Sequence, residues 1–259
     1  MDVTAELTIV IPVRIDCKER KENLDIVLFS ILETTSAFII ILEADSKRQY
    51  FFKEREDRIK YVFIHDDNPI LHRTHYLNKL LKMSETDKVG IWDTDVILNA
   101  KQIKDGINAI NNGITLCYPY DGRFLFLGAK QSNQVRYNMT SFLNLTDENT
   151  TDVPTALGRP SVGGAFIVNK DRYLQAGGEN ENFYGWGPED AERLKRMEIL
   201  QEPIARIKGP LFHLYHPRGI NSACGYTERD KNNVNELIKV CSMKTAEMHD
   251  YIDTWTWKS

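Results

Sequence analysis

The stretch "LTIVIPVRIDCKERKENLDIVLFSILETTSAFIIIL", residues 7 to 42, decides the fold class. Leu7 to Val13 and Ala37 to Leu42 are short, almost continuously apolar and rich in β-branched residues, which suits strands buried on both faces. Between them, within Glu22 to Thr35, Leu24, Val27, Leu28, Ile31 and Leu32 recur at helical spacing. Two further runs, Lys60 to His65 and Lys88 to Trp92, have the strand character. A helix carrying Leu77, Leu80 and Leu81 precedes the second of them. Strands alternating with helices predict an α/β fold with a mainly parallel central sheet flanked by helices, and ligands bind such sheets beyond the carboxyl ends of the strands.

The second half is less regular. A polar segment from about Gln131 to Arg159 reads as a loop or lid, followed by a strand near Ser161 to Asn169. "PIARI" and "PLFHLY" read as strands and Asn233 to Met243 as a late helix. At 259 residues and 42% apolar content, the chain is expected to form one continuous domain with a sizeable core. Thirty-three basic and 37 acidic residues, a net charge of -4, are scattered without a basic stripe, which argues against nucleic acid as a partner.

The opening residues lack a basic n-region, no apolar run reaches membrane-spanning length, and Cys17, Cys117, Cys224 and Cys241 have no CxxC spacing. The expected location is therefore the cytoplasm, with free thiols. The aromatic tail "YIDTWTWKS" offers a peripheral membrane contact or, the favoured reading, packing on the domain.

Four constellations carry chemistry. In "GIWDTDVIL", Asp93 and Asp95 follow a buried strand, and on extended backbone both carboxylates face one way. Like charges held together in poor solvation need compensation; a divalent cation supplies it, and oxygen ligands suit magnesium or manganese. Ordinary turn chemistry is the alternative. In "PLFHLYHPRG", His213 and His216 would face opposite sides of a straight strand, so joint ligation requires a bend after Tyr215. Beside Asp95 the histidines favour manganese. In "PVRID", Arg14 at a strand's carboxyl edge can reach a phosphate, ribose or base, and Asp45 and Arg73 can line the same edge. In "RPSVGGAFIV", Gly163 and Gly164 indicate a bulge or a close approach to the backbone.

A fifth stretch, "NFYGWGPEDAERL" (residues 182 to 194), sets Trp186 between Gly185 and Gly187 ahead of a helix start at Pro188, Glu189 and Asp190. The order "IPVR", Asp-x-Asp, Gly-Gly strand, "YGWGPED" and a His-containing segment, from about Thr8 to Gly219, resembles the family 7 glycosyltransferases. That family includes the β1,4-galactosyltransferases and the transferase domains of chondroitin synthases, and "LFHLYHPR" looks particularly like the chondroitin synthase version.

The resemblance implies a GT-A fold with a smaller mixed acceptor-side region, its nucleotide-sugar half over about 1–100 and its acceptor and catalytic half over about 101–259. It implies manganese (or magnesium), a UDP-sugar donor and inverting transfer. Pro12, Val13 and Arg14 would border the uridine, Arg73 would contact the nucleotide, and Asp93 would sit near the ribose and donor sugar. Asp95 and His216 would bind the metal, with His213 at the position of a metal-binding methionine. Gly164 would give the donor room, Trp186 would close over it on a mobile loop, and Glu189 would hold an acceptor hydroxyl. Asp190 matches the catalytic base. Tyr184 is expected with Trp186 on the acceptor side, and in a non-catalytic relative the two would form a sugar-stacking surface. Pro188 departs from the galactosyltransferases' usual glycine and Ala191 from an acid, so acceptor identity stays open.

The expected function is metal-dependent inverting transfer of Gal or GalNAc from a UDP-sugar to a glycan or lipid-linked oligosaccharide, in bacterial capsule or surface polysaccharide synthesis at the inner face of the membrane. A metal-dependent hydrolase built on Asp93, Asp95, His213 and His216 is one alternative. A non-catalytic carbohydrate-binding relative is the other.

Overall fold

The computed structural model describes residues 2–51, 57–146, 160–223 and 225–258. Cys224, and the end of the expected polar loop from residue 147 to 159, lie outside them. The chain alternates as expected through β1 (Leu7–Val13), α1 (Lys18–Thr34), β2 (Phe38–Asp45), β3 (Ile59–His65), α2 (Arg73–Met83) and β4 (Lys88–Trp92). All seven residues of β1 are buried, because β2 covers one edge, β4 the other, and α2 packs against it. α1 begins four residues ahead of the expected Glu22. Its first turn is polar and Arg20 pairs with Asp16 at 2.8 Å, so it shows no apolar stripe.

After β4 come β5 (Val96–Ile97), α3 (Ala100–Asn111), β6 (Leu116–Tyr118), β7 (Phe124–Phe126), α4 (Ala129–Tyr137) and a 3₁₀ turn over Met139–Asn144. Then follow β8 (Ala165–Asn169), α5 (Lys170–Gln175), α6 (Glu189–Ile199), β9 (Ile204–Arg206), β10 (Leu211–His213), α7 (Glu228–Cys241) and α8 (Thr245–Asp253). Among the described residues the central sheet has the order β3-β2-β1-β4-β8-β6-β9, parallel except for β8. A smaller sheet, β5-β10-β7, stands beside it.

This topology positions the site in two ways. The direction of chain growth across the central sheet reverses at β1 and β4, so their carboxyl ends flank a crevice. Because β8 runs antiparallel between β4 and β6, its amino end arrives at that same edge, and Asp93 N donates to Gly164 O at 2.8 Å.

Two expectations change. The segment expected to be a loop from Gln131 carries most of α4 and the 3₁₀ turn over Met139–Asn144, because Val135, Phe142 and Leu145 pack with Ile26, Ile97, Phe212 and Leu214. The late helix starts at Glu228 instead of Asn233: Thr227 and Asp230 cap it reciprocally, a capping box legible in "TERD". The aromatic tail packs on the domain, as favoured. Trp255 is buried with Val240, Met248 and Ile252, and its ring stacks on Trp257 at 5.0 Å. No helix among the described residues is long and apolar enough to cross a membrane.

Candidate functional site

A cavity of about 280 Å³ opens at the carboxyl edge of β1 and β4, lined among others by Pro12, Val13, Arg14, Arg73, Asp93, Asp95, Trp186, Glu189, Asp190, His213 and His216. Eleven residues separated by up to 204 positions in sequence thus share one wall.

One end of the cavity holds a cluster of metal-ligand type. His216 Nε2 lies 3.1 Å from Asp95 Oδ2 and His213 Nε2 lies 3.4 Å from Oδ1; donor atoms of the three residues fall within 4.8 Å of one another. β5 and β10 pair antiparallel with His213 opposite Val96, and Leu214 N donates to Asp95 O at 2.8 Å, which sets Asp95 beside the histidines. The expected bend after Tyr215 comes earlier, since β10 ends at His213 and the next residues leave the strand conformation.

His216 Nδ1 lies 2.8 Å from Pro217 O. A carbonyl can only accept, so Nδ1 carries a proton in that contact; Nε2 faces Asp95, donating to the carboxylate in the protonated ring and offering a lone pair to a cation in the neutral one. His213 sits against Phe124 and Phe126, its Nδ1 buried without a partner. One carboxylate oxygen and two imidazole nitrogens suit a divalent transition ion.

Electrostatics fit the geometry. Burial opposes charge on Asp95, but His213, His216 and Arg20 outweigh it and hold this carboxyl well below the usual range. Burial lowers His213, whereas at His216 the bond to Asp95 and its charge overcome burial and raise the imidazole. Arg20, from the polar first turn of α1, approaches Asp95 Oδ2 at 3.5 Å and was not singled out in the sequence. Its only signal is that this turn lacks an apolar stripe.

The other end is built on the start of α6. Pro188 is the N-cap, and Glu189, Asp190 and Glu192 fall in the first turn, where the helix dipole favours negative charge. Burial and the neighbouring Asp190 push Glu189 up to about 8. Arg73 bridges the two ends: Nη2 donates to Asp93 Oδ1 at 2.5 Å, and its charge also acts on Glu189. Burial raises Asp93 against the pull of Arg73.

Trp186 is 41% exposed over the cavity. Its flanking glycines, expected to free it, serve close packing in this conformation. Gly185 has φ of 71°, and a Cβ on Gly187 would lie 2.6 Å from Asn233 Nδ2.

Four expected site residues have other surroundings. Arg14 lines the cavity, but its fork is spent on Ala44 O at 2.6 Å, Asn68 O and Asp66 at 2.9 Å, so it braces the crevice. Asp45 caps its own turn, accepting from Ser46 N at 2.7 Å, away from the lining. Tyr184 turns its hydroxyl to Ile70 O and its ring to His72. Gly164 has φ of 82°, and its missing side chain leaves room for Phe124, Leu211 and Val96; these are fold neighbours. It is Gly163 that lies bare against Asp190, where a Cβ would come 2.5 Å from Oδ2.

Known proteins agree with this architecture. A family model described as "N-terminal domain of galactosyltransferase" matches residues 156–217, from ahead of β8 to just past His216. A Drosophila β1,4-galactosyltransferase 7 mutant solved with manganese, UDP-Gal and xylobiose superposes with a TM-score of 0.54 at 14% identity, covering 87% of this chain and 78% of that one. The catalytic domain of the same Drosophila enzyme with xylobiose gives 0.50 at 16%, covering 96% and 81%. A mycobacterial protein gives 0.54 at 13%, covering 93% and 78%. No curated protein matches the sequence.

The fold is GT-A. The family 7 resemblance drawn from the motifs is supported where it was most specific, since the matched residues of this GT-A domain include the glycine pair, Trp186, the two acids and both histidines.

Proposed function

We propose that this GT-A domain is a metal-dependent glycosyltransferase that uses a UDP-sugar, Gal or GalNAc, and inverts the anomeric centre on transfer to a glycan or lipid-linked acceptor. Bacterial surface polysaccharide synthesis in the cytoplasm is the proposed setting. The supporting observation is that the Asp95, His213 and His216 cluster and the acids Glu189 and Asp190 line one cavity, bridged by Arg73 and overhung by Trp186.

Asp95, His213 and His216 would hold manganese, or magnesium, the first matching the ion in the Drosophila complex. When bound, that ion supplies charge neutralisation for the departing diphosphate. The chain's own residues do the rest. Pro12, Val13 and Arg14 border the nucleotide, Arg73 contacts it, and Asp93, paired with Arg73, sits by the ribose and donor sugar. Trp186 covers the donor and excludes water. Glu189 engages an acceptor hydroxyl, and Asp190 takes its proton as the oxygen attacks the anomeric carbon. The new glycosidic bond forms while the bond from that carbon to the phosphate oxygen breaks, its electron pair leaving with UDP. An attack from the side opposite the leaving group inverts the centre. A placed carboxylate of this kind contributes about 10²–10⁴-fold.

Titration calorimetry with UDP, with and without manganese, tests the donor half, and UDP release from a panel of UDP-sugars and glycan acceptors tests transfer. Manganese-dependent UDP binding and acceptor-dependent release are expected. A chain indifferent to UDP in the presence of manganese is no transferase. UDP release that needs no acceptor would instead support the hydrolase.

A further inference from the structure

The Asp190 carboxylate is held from two sides. Arg193, one turn further along α6, is 0% exposed and places Nη1 2.6 Å from Asp190 Oδ1. It cannot swing away. Nε donates to Glu179 Oε1 at 3.0 Å, Nη2 donates to Oε2 at 2.8 Å, and the guanidinium lies 4.1 Å from the centre of the Phe166 ring. Glu179 is itself buried and accepts the Tyr173 hydroxyl at 2.6 Å. The buried charge of Arg193 is thus neutralised by Glu179, and a donor remains aimed at Asp190. On the opposite side, the backbone of Gly163 stands so close to Oδ2 that a Cβ would come within 2.5 Å. Gly163 is not among the glycines with left-handed φ, so the carboxylate, and not the backbone, excludes a side chain there.

Resting on the reading of Asp190 as the base, we infer that Arg193 is a positioning residue: it occupies Oδ1 and leaves Oδ2, over the bare face of Gly163, to accept the acceptor's proton. A fork that gripped both oxygens would compete for that proton, whereas a contact to one oxygen fixes orientation and leaves the other's lone pairs. The other charged and titratable groups around Asp190 are Arg73, Asp93, Glu189, Tyr118 and Tyr120.

Two variants test this. Arg193→Met with Glu179→Gln removes both members of the buried pair together, since losing one alone would strand a charge. Gly163→Ala changes no charge and pushes only on the carboxylate. With an acceptor that the parent uses, each variant is expected to lower kcat by about 10²-fold while UDP-manganese affinity, read by calorimetry, stays within about threefold. A loss of kcat with UDP-manganese affinity kept is the split that a merely structural role would not give. Parent-like kcat in both variants overturns the role. If the double variant does not fold, Gly163→Ala alone decides. A parent that binds UDP but transfers to no acceptor instead defeats the proposed function, and the positioning role with it.

Discussion

His216 Nε2 stands 3.1 Å from Asp95 Oδ2, a contact across 121 positions of sequence (216 − 95) that joins the carboxyl edge of the central sheet to the smaller sheet. Asp95 is 3% exposed, and in the chain alone its charge is answered by His213, His216 and Arg20. Asp95→Ala removes the sole carboxylate of the candidate ligand set. It is expected to abolish manganese-dependent UDP binding, with affinity falling by at least about 10-fold, the lower end of what even an outer partner of a metal ligand contributes. Calorimetry with UDP at fixed manganese reads this directly, and unchanged affinity would remove Asp95 from the metal site.

Asp190→Asn separates binding from transfer. The side chain keeps its shape and its contact with Arg193 but loses the capacity to take a proton. Transfer should fall by about 10²–10⁴-fold with UDP binding unchanged. Equal turnover in the variant and the parent, measured as UDP release with acceptor, would show that Asp190 is not the base.

Trp255 tests the C-terminal packing. Its ring is 5% exposed, lies over Gly177, where a Cβ would come within 2.6 Å, and receives the Arg196 guanidinium at 5.4 Å. Arg196 pairs with Glu192 in α6 at 2.9 Å, so the tail braces the helix whose first turn carries the acids. Trp255→Ala should destabilise the chain by about 3–5 kcal/mol. Urea denaturation measures this, and a change below about 0.5 kcal/mol, the level of a surface substitution, would show that the tail is not part of the core.

What could be read ahead of the structure follows from how local each signal is. β1, α1 and β2 announce themselves because burial on both faces of a strand, or one face of a helix, is written in consecutive residues. α4 does not, since the apolar surface it completes, Ile26, Ile97 and Phe212, comes from three distant segments. The antiparallel course of β8 was likewise invisible, although its glycine pair was noticed.

In the site, residue types with distinctive chemistry (Asp95, His213, His216, Glu189, Asp190) were legible, and the cavity brings them together. Which glycine served which neighbour was not, because φ and close approach are properties of the folded backbone. Arg193 and Arg20 look like ordinary charged helix residues until Glu179 and Asp95 arrive beside them from elsewhere in the chain.

Glu189 yields a pH dependence with a definite sign. It is 8% exposed, its Oε2 is buried without a partner, and burial together with Asp190 outweighs Arg73 and Arg193, pushing it from the ordinary 4.5 up to about 8. Between those two values the folded chain holds a proton that the unfolded chain has released. The contribution of Glu189 to stability therefore falls as pH rises through that window, and its loss is complete above about 8. Glu189→Gln is neutral throughout and lacks this slope. Urea denaturation of parent and variant at pH ~5, ~7 and ~9 should give a stability difference that moves steadily in favour of the variant as pH rises. His titrations elsewhere cancel in the comparison. Parallel curves would mean that Glu189 is ionised in the folded chain near neutral pH, and the carboxyl would then meet an acceptor hydroxyl as a pure hydrogen-bond acceptor. Retention of the proton gives it a donor as well, so the same titration decides which side of the acceptor hydroxyl Glu189 engages.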